Sequence, residues 1–188
     1  MEHNNPLPVY GKHHPHPTTG PEPMTLRTLC ISILVFLLST LGASANTVML
    51  TAGDPLPETT LPDQHGQTQN LEGARMILFA QDKAAGEMIH EVLQDKTQKQ
   101  LDAQGIVVVS DISRMPGLVT RFFALPSMRD YSYRILLGYE AQETQWLPRQ
   151  EDSVTRLTIQ EGKITGIDYA RSAEQLAGLI TPDSADRP

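Results

Sequence analysis

Two charged residues, Asp82 and Lys83, stand between a strand-like apolar run and a helix-like segment. A carboxylate beside an ammonium group could act as a general acid or base with an electrostatic partner, as an enzyme without a thiol would need. The same carboxylate could instead accept hydrogen bonds from the free N–H groups at the start of the helix, which stabilises a helix by about 0.5–2 kcal/mol. Capping alone explains the acidic residue at position 82, so the sequence assigns no catalytic residue.

An arginine-rich stretch without lysine lies further along the chain and contains Arg114, Arg121, Arg129 and Arg134. Guanidinium groups favour bidentate contacts with carboxylates and phosphates, so Arg114, Arg121 and Arg134 could form a patch that binds an anionic partner. The acidic residues Asp111 and Asp130 lie close by in the sequence. They favour the other interpretation, in which these arginines are solvated or ion-paired on an ordinary surface.

Aromatic residues near these arginines have two possible roles. Tyr131 and Tyr133 could add a rigid aromatic edge to a partner-binding surface, although we expect at least one of them to pack in the core. The single tryptophan, Trp146, precedes the last pair of predicted strands. It could anchor a partner, but the edge of the core is the position we expect for it.

Metal binding has little support after position 23. His65 and His90 are the only histidines after position 23, and no cysteine follows Cys30, so carboxylates would have to complete a zinc site. We expect His65 to be exposed in a turn and His90 to lie toward the polar edge of a helix. No Ser–His–Asp set can be recognised either, and the sequence predicts no metal site.

The charge balance excludes other classes of partner. The 188-residue chain has a formal net charge of −7. Binding to nucleic acids or to anionic membranes needs clustered positive charge, so neither is expected as the main activity. The acidic balance is explained by solubility alone.

The segment Met24–Ala45 has the parts of a secretory signal. Arg27 supplies the positive charge, residues 29–41 form the apolar run, and small residues precede a cleavage site after Ala45. The run is shorter than the roughly 20 residues that a membrane span prefers, so cleavage is favoured over an anchor. We therefore predict a periplasmic protein without stable membrane insertion after the signal is removed.

The two ends of the chain are expected to be unstructured. Residues 1–23 are rich in proline and histidine, so they could capture a metal or form a disordered tail. We prefer a third interpretation, in which they lie upstream of the true translation start at Met24. Residues 183–188 are expected to be frayed. The remaining range, 46–182, is predicted to form one domain.

The only cysteine, Cys30, lies in the predicted signal. A mature chain that begins after Ala45 therefore has no disulfide, no thiolate nucleophile and no thiolate metal ligand.

The positions that could do chemistry are placed by a β–α–β unit. Residues 76–80 and 106–110 are continuous apolar runs of strand length, as in a sheet covered on both faces. Between them, apolar residues recur at helical spacing from Ala84 onward, namely at Ala85, Met88, Ile89, Val92 and Leu93.

A short helix is predicted to start near Pro116, because proline suits the first helical turn. We expect Leu118, Phe122 and Phe123 to face the core, with Arg114 and Arg121 outside.

Other elements complete the predicted order. A terminal helix should open at Ser172 with a capping box that includes Gln175, and end before Pro182. Residues 58–61 and 67–70 are predicted to form an N-terminal hairpin about the turn 63–66. A further strand is predicted over 134–139, and residues 154–159 and 163–168 are predicted to form a second hairpin.

This order resembles the thioredoxin superfamily, in particular its peroxiredoxin and periplasmic thioredoxin-like branches. The N-terminal motif is Gly53-Asp54-x-Leu56-Pro57, followed by Leu61-x-Asp63-x-x-Gly66. The chain more closely resembles a cysteine-free group of small periplasmic proteins from Gram-negative bacteria. The segments that carry this resemblance are LFAQDKAAGEM, DISRMPGLVTRFFALPSMRDYSYR and WLPRQ. That group has no assigned function and is often labelled FAD/FMN-containing dehydrogenase. The resemblance implies an α/β fold, a thioredoxin-like three-layer α/β/α sandwich with a mixed central sheet and an N-terminal β-hairpin extension.

The departures from the family pattern concern its chemistry. Redox-active members place a low-pKa cysteine at the start of the helix after the first core strand, where this chain has Asp82 and Lys83. They also carry a cis-proline just before the third core strand, where this chain has Tyr131-Ser132-Tyr133. The resemblance therefore excludes peroxidase, disulfide isomerase and thiol reductase activity for the mature chain. No Gly-x-Gly-x-x-Gly follows a strand, so no dinucleotide cofactor is predicted.

Three functional hypotheses follow. The first is a redox-inactive domain that binds an envelope protein or peptide through Asp82, Lys83, Arg114, Arg121, Tyr131 and Arg134. The alternative is a non-thiol enzyme, such as a flavin-linked oxidoreductase, that uses Asp82 with Lys83 or a nearby arginine. The third is a structural or stress-related protein without a dedicated ligand.

Overall fold

The computed structural model describes residues 49–181 of the chain. The predicted tail over 1–23, the signal over 24–45 with Cys30 and its cleavage site, and the frayed end over 183–188 lie outside the described residues. So does Pro182, the predicted end of the last helix.

A five-stranded mixed sheet forms the centre of the fold. A two-stranded antiparallel hairpin precedes it, made of β1 (Thr60–Pro62) and β2 (Thr68–Asn70). The strands of the central sheet are β3 (Met76–Ala80), β4 (Ile106–Asp111), β5 (Ile135–Gly138), β6 (Val154–Gln160) and β7 (Lys163–Ala170). Their order is β5-β4-β3-β6-β7. Strands β3, β4 and β5 are parallel to one another, β6 is antiparallel to β3, and β7 is antiparallel to β6. The predicted α/β fold, with its mixed sheet, hairpin extension and β–α–β unit, is confirmed.

Between residues 49 and 181, five helical segments connect and flank the strands. They are α1 (Lys83–Leu93), α2 (Gln98–Gln104), α3 over 117–129, α4 (Ala141–Thr144) and α5 (Ala173–Ile180). Gly105 ends α2 in the left-handed conformation, with φ of 65°, which favours glycine. In the range from 49 to 181, no helix is both long enough and apolar enough to cross a membrane.

Both faces of the sheet are buried, as its continuous apolar strands predict. Because side chains alternate along a strand, Leu78 and Ala80 belong to one core cluster whereas Ile77 and Phe79 belong to the other. The first cluster lies under α1 and α5, which pack against each other and contribute residues such as Ile89. The second cluster is closed by the hairpin and by the segment around Trp146, which packs at the edge of this core as expected.

The prediction for the short helix was right in its start and wrong in its buried face. α3 begins at Gly117, directly after Pro116, but Leu118 and Phe123 are each 73% exposed and Phe122 is 62% exposed. The residues of α3 that are buried or pack against the core are Thr120, Leu125 and Met128.

A π-helical turn in the middle of α3 explains this correction. α3 consists of Gly117–Val119, the π-helical turn Thr120–Ala124 and Leu125–Arg129. Pro126 has no N–H, and its ring would clash with the carbonyl group four residues earlier in a regular α-helix. The N–H of Leu125 instead donates to the carbonyl of Thr120, five residues back. Across this turn the inward residues Thr120 and Leu125 are five apart, so 3.6-residue periodicity does not identify them, and the regular stripe of Leu118 and Phe122 lies on the exposed face.

The terminal helix opens as predicted, but without the reciprocal bond of a capping box. The Ser172 side chain accepts a hydrogen bond from the Gln175 N–H at 3.2 Å. The Gln175 side chain accepts from the N–H of Arg171 rather than that of Ser172. The inner stripe of α5 is confirmed, with Leu176 fully buried and Leu179 and Ile180 packed against the same core.

Gln64 is the main surprise in the N-terminal hairpin. The turn forms where it was predicted, and the Asp63 side chain accepts hydrogen bonds from the N–H groups of His65 and Gln67. His65 is exposed, as expected, whereas Gln64 is only 2% exposed. Its amide reaches across to the strand β5, which attaches the hairpin to the edge of the central sheet.

Candidate functional site

A cleft of about 510 Å³ lies between α1 and α3, beside the carboxyl ends of β3 and β4. We call it the α1–α3 cleft. Ligands of open α/β sheets commonly bind at the carboxyl ends of the strands, and this volume is within the range of small-ligand pockets. Its position follows from the sequence, because the strand β3 ends at Ala80 and the next helix starts three residues later.

The walls of the cleft are mostly apolar. Ile89 of α1 and Val108 of β4 belong to the core, and Met115 and Met128 line the cleft from the side of α3. Methionine side chains are flexible and polarisable, so such walls can adapt to apolar groups of different shapes. At the outer rim, Phe123 lines the cleft while most of its side chain is exposed to solvent.

Two tyrosine rings, Tyr131 and Tyr133, line one side of the cleft, and His90 packs against them without lining the cleft itself. The imidazole of His90 stacks on Tyr131 with the ring centroids 3.9 Å apart and an angle of 12° between the planes. The Nδ1 atom of His90 lies 3.3 Å from the hydroxyl of Tyr133. Tyr133 is buried and Tyr131 is half-buried, so the expected core position holds for Tyr133. Burial, with the nearby Tyr131 as a smaller cause, raises the pKa of the Tyr133 phenol above its ordinary value, so this hydroxyl stays neutral.

Asp82 caps the helix at the mouth of the cleft, as one interpretation of the sequence predicts. Its Oδ1 atom accepts a hydrogen bond from the N–H of Ala85 at 2.9 Å, and its backbone is extended. The neighbouring Lys83 forms an ion pair with Glu87 one turn along α1. Both partners of this pair are exposed, so it adds only about 0.3–0.5 kcal/mol to stability.

Substitution of the cap gives a first prediction. We expect Asp82→Ala to lower the free energy of unfolding by about 1 kcal/mol, because the N–H of Ala85 loses its acceptor. Asp82→Asn is the matched control and should change stability much less, since asparagine caps helices about as well as aspartate. Chemical denaturation of both variants measures the difference. Equal losses would show that the carboxylate charge, and not the capping bond, is what matters.

The arginines of the sequence-predicted site do not act as one set. Arg114 lines the cleft, and Arg121 lies over the exposed ring of Phe122, with 5.8 Å from its guanidinium carbon to the ring centroid. Arg134 instead donates from Nη1 to the side chain of Gln69 in the hairpin at 2.8 Å. Arg129 donates to the backbone carbonyl of Gln64, so these two arginines hold the hairpin.

The structure thus brings part of the predicted site together. Asp82, Lys83, Arg114 and Tyr131 line the α1–α3 cleft, whereas Arg121 and Arg134 are not among its lining residues.

A buried ion pair beside the cleft was not predicted. Asp111, at the end of β4, accepts from Arg149 Nη1 at 2.7 Å and from the Thr144 hydroxyl at 2.9 Å through Oδ2. Its Oδ1 accepts from the N–H of Ser113 at 2.9 Å and from the Ser113 hydroxyl at 2.6 Å. The Arg149 guanidinium also lies over the ring of Phe79. An acid at a strand end and a Trp-Leu-Pro-Arg segment were visible in the sequence, but their separation of 38 residues gave no signal of a contact.

The Asp111 carboxylate is fixed in its charged form. Burial raises its pKa, but the hydrogen bonds from Ser113, Arg149 and Thr144 together outweigh burial and hold the pKa below its ordinary value. Because four donors occupy its two oxygens, Asp111 acts as a structural anion.

Two larger grooves lie elsewhere on residues 49–181. One, of about 990 Å³, runs between the hairpin and the β6–β7 turn, and the other, of about 1050 Å³, lies near the end of α5. Their walls are more polar than those of the cleft. In the described part of the chain, no three histidine, cysteine, aspartate or glutamate side chains are grouped to hold a metal ion.

Comparison with known proteins shows the fold alone. No protein-family model matches the chain, and no curated protein does. Among solved structures, the chain is similar to the peroxidoxin BcpB from Mycobacterium tuberculosis, with 14% identity and a TM-score of 0.50, covering 74% of this chain and 99% of that one.

Two further solved structures match at lower TM-scores. The thioredoxin domain of a thiol-disulfide oxidoreductase from Bacteroides vulgatus has 16% identity and a TM-score of 0.47, covering 70% of this chain and 96% of that one. A thio-disulfide isomerase from Thermus thermophilus has 21% identity and a TM-score of 0.42, covering 71% and 99%. The thioredoxin-like fold implied by the sequence resemblance is confirmed by the mixed sheet and by the likeness to the peroxidoxin structure.

Proposed function

We propose that this protein is a redox-inactive, periplasmic member of the thioredoxin-like fold that binds apolar segments of envelope proteins or peptides in the α1–α3 cleft. The observation that carries the proposal is the cleft itself: an open apolar site at the start of α1, rimmed by exposed phenylalanine. Export by the predicted signal and likeness to the cysteine-free periplasmic group are parts of the same proposal.

The rim supports binding to another macromolecule. Leu118, Val119, Phe122 and Phe123 are all exposed on neighbouring turns of α3. Scattered apolar residues are normal on a protein surface, but a contiguous exposed group beside a groove marks an interaction site in many proteins. Aromatic side chains are also enriched at the centres of protein interfaces, where they anchor a partner. Leu118 and Val119 lie just before the π-helical turn, and Phe122 and Phe123 lie within it.

The chemistry around the cleft supports binding rather than thiol exchange. Residues 49–181 contain no cysteine, and the chain as a whole has one, so no disulfide can form within a single chain. At the start of α1, Asp82 and Lys83 cannot undergo thiol–disulfide exchange. Both are engaged by their own helix, Asp82 by the N–H of Ala85 and Lys83 by Glu87. These contacts disfavour the alternative in which they serve a non-thiol or flavin-linked enzyme.

Selection from a random peptide library tests this function. We expect a displayed library of 12-residue peptides to yield enriched sequences with two or more bulky apolar residues on the wild-type chain. Phe123→Asp places a charge at the rim of the cleft and should abolish the enrichment. Tyr169→Asp, at a partly exposed aromatic position on β7, is the matched control and should leave it unchanged. Failure to enrich any sequence, or equal enrichment on Phe123→Asp, would contradict the proposal.

A further inference from the structure

We infer that the segment bound in the α1–α3 cleft carries an acidic residue next to its apolar anchors, and that Arg114 recognises this carboxylate. The inference rests on the proposed function and specifies the class of partner. It follows from the charges at the mouth of the cleft, considered one by one.

Two of the charged groups at the mouth are already neutralised within α1. Lys83 and Glu87 pair with each other. The Asp82 carboxylate accepts from the N–H of Ala85 at the positive end of the helix dipole. These three groups therefore offer little net attraction to a charged partner.

Arg114 differs from them. It lines the cleft and is exposed, and its guanidinium makes no hydrogen bond or ion pair with any residue between 49 and 181. Arg121, on the neighbouring α3, contacts the ring of Phe122 and likewise has no acidic partner in this range. The remaining acid that lines the cleft, Asp111, is already paired with Arg149, so Arg114 is the lining cation that has no acidic partner between residues 49 and 181.

Because the walls of the cleft are apolar and adaptable, selectivity between peptide segments depends on the charge of Arg114. Met115 and Met128 can adapt to many apolar side chains, so shape alone discriminates weakly between them. A guanidinium presents donors in a planar fork that fits a carboxylate at two points, and the bonds strengthen where the apolar rim excludes water. An apolar segment flanked by glutamate or aspartate is therefore the occupant that this cleft fits best.

The test repeats the 12-residue library selection on the full chain and on Arg114→Gln. Wild type should enrich peptides that combine bulky apolar residues with an acidic residue, and Arg114→Gln should retain the apolar preference but lose the acidic one. Arg171→Gln is the matched control, because Arg171 is also exposed and lies outside the cleft; it should behave as wild type.

Fluorescence anisotropy on the most enriched peptide then measures the contact. Changing its acidic residue to the amide should weaken binding to wild type by about three- to tenfold, with little change for Arg114→Gln. Arg114→Glu should bind the lysine version of the peptide better than the acidic version. The difference between the acid and its amide should shrink in 1 M salt.

The possible failures are distinguishable. If apolar peptides without acidic residues bind wild type and Arg114→Gln equally and are lost on Phe123→Asp, the inference is wrong and the proposed function stands. If nothing is enriched, both are wrong. A dimer in sedimentation equilibrium that Phe123→Asp dissociates would assign the cleft to a second copy of the chain. Binding to phosphatidylglycerol vesicles that this variant abolishes would assign it to lipid. Either result would overturn the inference.

Discussion

Replacing Arg149 by methionine is expected to lower the free energy of unfolding at pH 7 by about 3 kcal/mol. The Asp111 side chain is only 3% exposed, so loss of Arg149 leaves a buried carboxylate without its counter-ion. The expected loss is at the lower end of the range for buried pairs because the Arg149 side chain is still 19% exposed. Urea denaturation at pH 7 measures it. Arg171→Met removes the same charge from an exposed position and should change stability by no more than about 0.5 kcal/mol.

The same variant has a predicted pH dependence. In the wild type, the pKa of Asp111 is lower in the folded than in the unfolded chain, where it is about 3.9. Its stabilising effect is therefore complete above that unfolded pKa and is lost as the pH falls through the folded pKa. In Arg149→Met, burial is opposed by fewer hydrogen bonds, which raises the pKa of Asp111. The stability difference between the two proteins should thus be largest near pH 7 and shrink below pH 4. A difference that stays constant across this range would contradict the assignment of Asp111 as a buried anion.

Replacing Gln64 by leucine is expected to cost about 2–4 kcal/mol of unfolding free energy. The Gln64 Nε2 donates to the carbonyls of Tyr133 at 2.8 Å and Met128 at 3.3 Å, and its Oε1 accepts from the N–H of Ile135 at 2.9 Å. Leucine can bond to none of these three backbone groups, and each buried polar group left without a partner carries a desolvation penalty. Thermal and urea unfolding measure the loss.

Two further variants make this result specific. Gln67→Leu applies the same substitution to an exposed position of the same turn and should be close to neutral. Gln64→Glu keeps the shape but, when ionised, cannot donate to the carbonyl of Tyr133. Its destabilisation should therefore be smaller at pH 4 than at pH 7, because a protonated carboxyl regains a donor. Equal stability of Gln64→Leu and Gln67→Leu would show that the hairpin is attached by other contacts.

Local signals in the sequence predict the elements that place the cleft. The apolar runs over 76–80 and 106–110 specify strands buried on both faces, and the spacing of Ala85, Ile89 and Leu93 specifies the inner face of α1. The capping role of Asp82 also follows from its position alone, because it depends only on residues three apart. The order of these elements was enough to indicate the fold.

Long-range contacts explain what the sequence could not predict. The Asp111–Arg149 pair and the bonds from Gln64 to β5 join residues far apart in the chain, and no local pattern encodes them. Polar residues in a turn, such as Gln64, are usually exposed, so its burial follows only from how the hairpin packs. The inward residues Thr120 and Leu125 are five apart because of a single π-helical turn, which shifts the phase of a periodic pattern without changing its composition.

An NMR titration of the isotope-labelled full chain with the most enriched library peptide tests the central claim most directly. If the cleft is the binding site, the largest shift changes will lie in residues that line it, such as Ile89, Met115 and Tyr131. Shift changes confined to the groove between the hairpin and the β6–β7 turn, or to β7, would contradict the claim that the α1–α3 cleft is where this protein meets its partner.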